Sequence, residues 1–171
     1  ATQLETVITA QGNQSHPVHG ITLDGLELSH STVSYLEPYE APTGGGWSGH
    51  RGAMVVFEGC ERPTVSNCVF DSPGGTGLLF SGYIRGATVR DNEFKFAGET
   101  AIMQLGRTNV SQPWDARAGD QPWGTQVINN YIHDFGIYGK AGAGFVQGLS
   151  ANTNVTRNII FSGPRAGMEW L

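Results

Sequence analysis

The chain repeats one short pattern of apolar and polar positions. An apolar residue is followed by two variable residues, a corner position, one further residue and a second apolar residue, at residues 65–70, 89–94, 127–132 and 155–160, and in weaker form at 23–28. A second strand-like run precedes each of the four clear copies, at residues 54–58, 77–81, 101–105 and 144–148. A further run follows the last copy, at residues 167–171. Two strands in a period of about two dozen residues leave no room for an ordinary helix, so the pattern predicts an all-β solenoid.

The corner position of the repeat carries a specific prediction. It is occupied by Leu26 and Cys68, and then by Asn92, Asn130 and Asn158. A side-chain amide has donors and acceptors, so a column of them can hydrogen-bond to itself and to backbone groups left unpaired at a bend. Asn is also a common turn residue for local reasons, but three in register favour a partial Asn ladder.

Alternation along the longer strand runs predicts which side chains face the interior. The inward positions include Phe57 and Phe80, but also Gln104 and Gln147, where a solenoid core should be apolar. In adjacent coils the two Gln side chains can pair amide to amide, which is the favoured interpretation over a catalytic role.

Two insertions interrupt the repeat, at about residues 29–50 and 107–124. They contain Trp47 in the first and Trp114 and Trp123 in the second. Such loops are too long for ordinary turns and are therefore candidates for function. Trp faces stack on sugar rings as well as on each other, so glycan binding and a self-packed loop both remain open.

Length, charge and composition restrict the class of protein. The 171 residues predict one domain of about five to six coils sharing a continuous core. The net charge of −5 argues against a nucleic-acid partner, whose phosphates require a basic face. No apolar run is long enough to predict a membrane span. No Asp or Glu cluster resembles a calcium site, so neither a metal nor a cofactor is predicted.

Cysteines and sequons add weaker signals. Cys60 and Cys68 fall on different parts of a coil, so the sequence leaves open a disulfide or two buried thiols. Asn13, Asn109 and Asn154 begin N-glycosylation sequons, which favours a secreted or extracellular glycoprotein.

The pattern resembles the right-handed parallel β-helix superfamily of pectate lyases and related polysaccharide-active proteins. Within it, several segments resemble uncharacterised secreted β-helix proteins close to the β-helix glycoside hydrolases: Pro17-Val18-His19-Gly20-Ile21-Thr22-Leu23-Asp24-Gly25-Leu26, His50-Arg51-Gly52-Ala53, Phe80-Ser81-Gly82-Tyr83, Gly136-Ile137-Tyr138-Gly139-Lys140 and Gly163-Pro164-Arg165-Ala166-Gly167. The resemblance covers nearly the whole chain and implies a right-handed helix. Because one fold hosts many functions, it indicates the reaction less well.

The resemblance also implies where a substrate would lie. The floor of its cleft is formed by the outward face of the strand that precedes each repeat phrase, and the insertions form the walls. The expected substrate-binding residues are Trp47, Trp114, Trp123, Tyr138 and Lys140, and the weak catalytic candidates are His133, Asp134, Arg165 and Glu169. Glu58 and Glu169 are the only carboxylates expected on the floor, and they are several coils apart, too far to cooperate in glycoside hydrolysis.

Two functional hypotheses follow. The first is an extracellular carbohydrate-active protein, a polysaccharide lyase or glycoside hydrolase, that binds a glycan along a Trp-walled groove. The second is a non-catalytic structural or adhesive solenoid that self-associates end to end. The sequence stops inside a strand run at Trp170-Leu171, so we expect a fragment of a longer helix, with catalytic residues partly outside this segment.

Overall fold

The computed structural model describes residues 3–40, 49–107 and 117–170. Every regular element in these residues is a β-strand, and most strands belong to one eight-stranded and two five-stranded parallel sheets. The expected all-β class is therefore confirmed.

The strands of each sheet come from successive repeats of the sequence. Sheet 1 runs through Ile8–Gln11, Val55–Glu61, Leu78–Arg85, Ile102–Leu105, Ala143–Gly148 and Ala166–Trp170, with Val18–His19 and Pro122–Trp123 paired beside it. Sheet 2 contains Thr22–Asp24, Thr64–Ser66, Thr88–Arg90, Gln126–Ile128 and Asn154–Thr156, and sheet 3 contains Glu27–Ser29, Val69–Asp71, Glu93–Lys95, Tyr131–His133 and Ile159–Phe161. A short antiparallel pair joins Tyr39–Glu40 to Gly49–His50.

Parallel pairing between repeats produces a solenoid. In sheet 2, Val89 is the register partner of Val65 on one side and of Val127 on the other, and Val127 in turn pairs with Val155. Corresponding apolar positions therefore stack on one another along the molecule, which explains why the sequence repeats them.

The interior is filled by stacked side chains of the same kind. Phe70 and Phe94 lie with ring centroids 4.4 Å apart, and Phe57 and Phe80 lie 5.7 Å apart. All four Phe side chains are fully buried. Such columns bury a large apolar area in every repeat, which is the main source of stability for this kind of fold.

The predicted amide pair lies inside this core. Gln104 is fully buried, and its Nε2 donates to Oε1 of Gln147 at 2.9 Å. Nε2 also lies 3.0 Å from Oγ of Ser150 and 2.7 Å from Oγ1 of Thr153. The expected pairing is confirmed, and it satisfies the buried Nε2 of Gln104, whereas its Oε1 is buried with no hydrogen-bond partner among the described residues.

The Asn ladder is also confirmed. Nδ2 of Asn92 donates to Oδ1 of Asn130, and Nδ2 of Asn130 donates to Oδ1 of Asn158, each at 2.9 Å. Nδ2 of Asn130 also donates to the carbonyl oxygen of Val89, and Nδ2 of Asn158 donates to the carbonyl oxygen of Val127. The column therefore satisfies backbone groups that the corner would otherwise leave unpaired.

The residue before each of the last four corner positions adopts a left-handed backbone conformation. Asn67, Asp91, Asn129 and Arg157 have φ between 52° and 59°. Asn and Asp tolerate this region better than most residues because their side chains bond locally. This turn redirects the chain from sheet 2 into sheet 3.

The first insertion is tied to the solenoid by Arg51. Its guanidinium contacts both carboxylate oxygens of Glu40 at 2.8 and 2.9 Å and donates to Oγ of Ser81 at 3.1 Å. It also donates to the carbonyl oxygens of Leu105 and Gly106. Arg51 thus holds the antiparallel strand pair against the strands Leu78–Arg85 and Ile102–Leu105 of sheet 1.

The end of the second insertion is held by Arg85. This side chain donates to the carbonyl oxygens of Gln121 at 2.6 Å, Arg117 at 2.7 Å and Gly119 at 3.0 Å. One guanidinium therefore fixes the backbone that leads into Pro122–Trp123.

Both cysteines are buried thiols. Cys60 and Cys68 are each 1% exposed and form no disulfide. Burial raises the pKa of the Cys60 thiol to about 11. Of the two possibilities left open by the sequence, the structure shows the pair of thiols.

Candidate functional site

The outward face of sheet 1, expected to be a cleft floor, is largely covered. Leu79, Met103, Leu105 and Val146 point outward as expected, but none is more than 1% exposed. They form a second apolar cluster together with Ala53 and Ala143. These four side chains therefore do not line an open groove.

The two carboxylates expected on that floor are each paired with an arginine. Glu58 accepts a hydrogen bond from Arg107, whose Nε also lies 3.4 Å from Asp120. Glu169 lies 3.4 Å from Nη2 of Arg165. In sheet 1, Glu58 aligns with Ser81 whereas Glu169 aligns with Val146 of a different strand. The structure therefore does not bring Glu58 and Glu169 together.

Of the predicted Trp residues, only Trp123 lies in the described part of the chain; Trp47, Trp114 and the sequon residue Asn109 lie outside it. Trp123 is half-buried in a short strand paired with Arg85. The guanidinium of Arg117 lies 5.0 Å from its ring centroid. For Trp123, these contacts favour the self-packed loop.

Asn13 and Asn154, the other two sequon residues, are both exposed. Asn13 lies in a tight turn, where its Oδ1 accepts from the backbone N–H groups of Ser15 and His16. Asn154 begins a strand of sheet 2 and donates to Gln126. Their glycosylation stays a prediction.

Tyr138 and Lys140 lie on the connection between sheet 3 and sheet 1. Tyr138 is 52% exposed and stacks on Tyr35 with ring centroids 5.7 Å apart. Nζ of Lys140 donates to the carbonyl oxygens of Gly136 and Ile137 at 2.8 and 2.9 Å, which closes the loop.

His133 and Asp134 lie on the outward face of sheet 3, where they meet a residue from another repeat. Nδ1 of His133 is 2.7 Å from Oδ2 of Asp134, and Nε2 is 3.1 Å from Oε1 of Glu93. Ser162 donates to the other oxygen of Asp134 at 2.6 Å. The imidazole is thus held between two carboxylates from adjacent strands.

These contacts determine the charges of the cluster. Partial burial opposes the charged imidazole, but the hydrogen bonds to Asp134 and Glu93 outweigh it and raise the pKa of His133. The hydrogen bonds from His133 and Ser162 lower the pKa of Asp134. Asp134 is therefore held ionised and is a poor general acid for glycoside cleavage, which needs a carboxyl group that retains its proton.

Aromatic side chains surround this cluster. The ring of His133 is stacked on Phe161 at 5.4 Å and lies 4.9 Å from Tyr131 and 6.1 Å from Phe96, centroid to centroid. Tyr131, Phe161 and Phe96 are 42%, 44% and 47% exposed. Large aromatic groups exposed side by side are typical of interaction surfaces.

A groove continues this surface toward Tyr138. It has a volume of about 500 Å³, and Phe96, Ile137 and Tyr138 line it together with His30 and Pro73, among others. Phe96 therefore belongs both to the groove and to the cluster around His133. We call Tyr138, Phe96, His133, Tyr131 and Phe161 together the aromatic strip.

Three important neighbours in this region escaped the sequence analysis. All three lie at or just after outward positions of the strands of sheet 3. Glu93 is the register partner of Tyr131, Phe161 is the register partner of His133, and Phe96 directly follows the strand Glu93–Lys95. The available signal was the repeat itself, because residues at equivalent places in successive copies become lateral neighbours.

In the described residues, no group of three or more His, Cys, Asp or Glu side chains could hold a metal ion. Residues 3–40, 49–107 and 117–170 contain no helix with the length and apolar character needed to cross a bilayer.

No family model matches the chain, and searches of curated proteins and of solved structures return no match.

Proposed function

We propose that this chain is part of an extracellular carbohydrate-active protein, and that it binds a glycan along the aromatic strip. The observation that carries the proposal is the exposure of Tyr131, Phe161 and Phe96 around His133, continuous with the groove beside Tyr138. We further propose a right-handed helix of about five to six coils in this segment, similar to the pectate-lyase-like superfamily. The resemblance of the repeat and its Asn corner supports both statements.

The physical case rests on how sugars are recognised. The faces of sugar rings carry C–H groups that pack on aromatic rings, while their edges carry hydroxyl groups that need hydrogen-bond partners. The strip offers rings from successive repeats together with the oxygens of Glu93 and Asp134. The groove volume of about 500 Å³ also falls within the usual range for small-ligand sites.

The geometry favours binding over catalysis within these residues. His133 bridges two carboxylates, and Asp134 is held ionised. Arg165 and Glu169 pair with each other on the strand Ala166–Trp170 and its approach. A lyase or hydrolase activity would then use residues outside this cluster.

Binding to soluble homogalacturonan, xylan and mixed-linkage glucan tests the proposal. Tyr131→Ala, Phe161→Ala and Tyr138→Ala should each weaken binding of the recognised polysaccharide by about tenfold, the effect of losing one stacking contact. Trp123→Ala is the matched control, because that ring is packed against Arg117 and lies outside the strip. Unchanged affinity in all three strip variants would contradict the proposal, and loss in Trp123→Ala alone would restore the Trp-walled groove.

An end-to-end self-associating module is the second candidate. The last described strand exposes Met168 and Trp170, at 42% and 53%, and a strand at the edge of a sheet can pair with another chain. Sedimentation velocity over a range of protein concentrations distinguishes this candidate. It predicts oligomers that disappear in Trp170→Glu, whereas a glycan-binding monomer predicts one species throughout.

A further inference from the structure

A second, smaller cavity lies beside the loop that carries Tyr138. Its volume is about 180 Å³, and its walls include Tyr39, Thr76, Glu99, Thr100 and Lys140, with Gly49, Gly139, Ala141 and Gly142. Tyr138 lines the aromatic groove while its neighbour Gly139 lines this cavity. Neighbouring residues of one loop therefore border both spaces.

The cavity wall contains a buried carboxylate. Glu99 is 5% exposed, and its Oε1 accepts a hydrogen bond from the hydroxyl group of Tyr39. Its Oε2 is buried and has no hydrogen-bond partner among the described residues. Burying a carboxylate oxygen without a donor is costly, so an external donor would stabilise the site.

The neighbouring groups in residues 3–40, 49–107 and 117–170 do not supply that donor. The hydroxyl group of Tyr39 has one hydrogen, and the carbonyl oxygen of Tyr35 lies 2.9 Å from it as a competing acceptor. Burial and the hydrogen bond to Glu99 raise the pKa of Tyr39, so the phenol keeps its proton. The ammonium group of Lys140 is directed to the carbonyl oxygens of Gly136 and Ile137.

We propose that this cavity is a subsite that receives one hydroxyl-bearing substituent of a saccharide, with Glu99 as the acceptor. The inference rests on the proposed function, because the sugar ring would lie on Tyr138. The volume is below that of a site for a whole ligand, but a hydroxymethyl group, little larger than a water molecule, fits it. Lys140 in the same wall disfavours a cationic substituent and favours a neutral hydroxyl.

Three methyl glycosides test the subsite by ligand-observed NMR titration. Methyl β-glucoside and methyl β-galactoside carry a hydroxymethyl group, and methyl β-xyloside lacks it. The protein should bind at least one of the hexosides about tenfold more tightly than the xyloside, since a hydrogen bond to a charged acceptor is lost with the group. Glu99→Gln should abolish this preference while leaving xyloside binding unchanged.

A second variant keeps the test independent of any folding defect at Glu99. Ala141→Leu narrows the cavity without changing the carboxylate, and it should weaken hexoside binding alone. Equal affinity for the three glycosides, or an unchanged preference in both variants, overturns the subsite while polysaccharide binding to the strip still stands. If no glycoside binds, the subsite fails, and the proposed function fails with it only if Tyr131→Ala, Phe161→Ala and Tyr138→Ala all leave polysaccharide affinity unchanged.

Discussion

The side chain of Asn92 donates a hydrogen bond from Nδ2 to Oδ1 of Asn130, across a distance of 2.9 Å. The same oxygen accepts from the backbone N–H of Asn92 at 3.1 Å. Asn130 repeats the arrangement with Asn158, through its own amide and backbone N–H. Asn92 and Asn130 are therefore each joined to the next Asn by two hydrogen bonds, and the side-chain amides also donate to backbone carbonyl oxygens at the bend. The column links successive repeats at a buried corner.

Removing the middle amide should be strongly destabilising. Asn130→Ala deletes both contacts with Asn92 and the donor to Val89, and leaves buried groups without partners. We expect the free energy of unfolding to fall by about 2–4 kcal/mol, measured by urea denaturation. Asn154→Ala, at an exposed position of sheet 2, is the matched control and should cost no more than about 0.5 kcal/mol. Equal effects of the two changes would show that the ladder contributes little.

The stability contributed by His133 should depend on pH. Its pKa is raised in the folded protein, so the contribution is complete below the ordinary unfolded value of about 6.5 and is lost as pH rises through the folded pKa. His133→Gln should therefore lower the free energy of unfolding more at about pH 5.5 than at about pH 8.5. Urea denaturation of both proteins at the two pH values measures this difference.

His19, which is more exposed, provides the control for that measurement. It lies 3.4 Å from Glu61 with a side chain that is 54% exposed, so solvent screens the pair. His19→Gln should lower the free energy of unfolding by no more than about 1 kcal/mol. If His133→Gln lowers the free energy of unfolding equally at both pH values, the ion pairs that we assign to His133 do not contribute to stability.

Loss of the Arg51 guanidinium should loosen the first insertion. Arg51→Ala removes the hydrogen bonds to Glu40, Ser81 and the carbonyl oxygens of Leu105 and Gly106. Because hydrogen bonds to charged groups are the stronger kind, we expect a loss of about 1.5–3 kcal/mol in unfolding free energy. Hydrogen exchange should also accelerate at Tyr39–Glu40 and Gly49–His50, the strands that Arg51 anchors.

Arg90→Ala is the control for charge removal alone. Arg90 forms an ion pair with its neighbour Asp91, and its side chain is 48% exposed. An exposed pair of this kind contributes at most about 1 kcal/mol. If Arg90→Ala destabilises the protein as much as Arg51→Ala, the anchoring role of Arg51 is wrong.

The two thiols should be inert in the folded protein. Cys60 and Cys68 are each 1% exposed, and the pKa of Cys60 is raised to about 11 by burial, so little reactive thiolate is available. At about pH 8 without reductant, a thiol reagent should label neither residue in the native protein and both in denaturant. Absence of labelling in denaturant would instead reveal a disulfide.

The sequence by itself determined the features that follow from its repeat. The alternation of apolar and polar residues predicted the strands and their inward side chains, and the Asn at the corner position predicted the ladder. Gln104 and Gln147 could be paired in advance because both occupy the same inward position of adjacent strands. Such predictions succeed because stacking in register makes equivalent sequence positions neighbours.

Only the tertiary structure decided which outward side chains are exposed and which meet. The cover over Leu79 and Met103 and the buried carboxylate of Glu99 beside Tyr39 could not be predicted from the repeat. Insertions fold back on the sheets through contacts between residues far apart in the chain. Local periodicity carries no information about those contacts, because they depend on loop paths and side-chain packing in three dimensions.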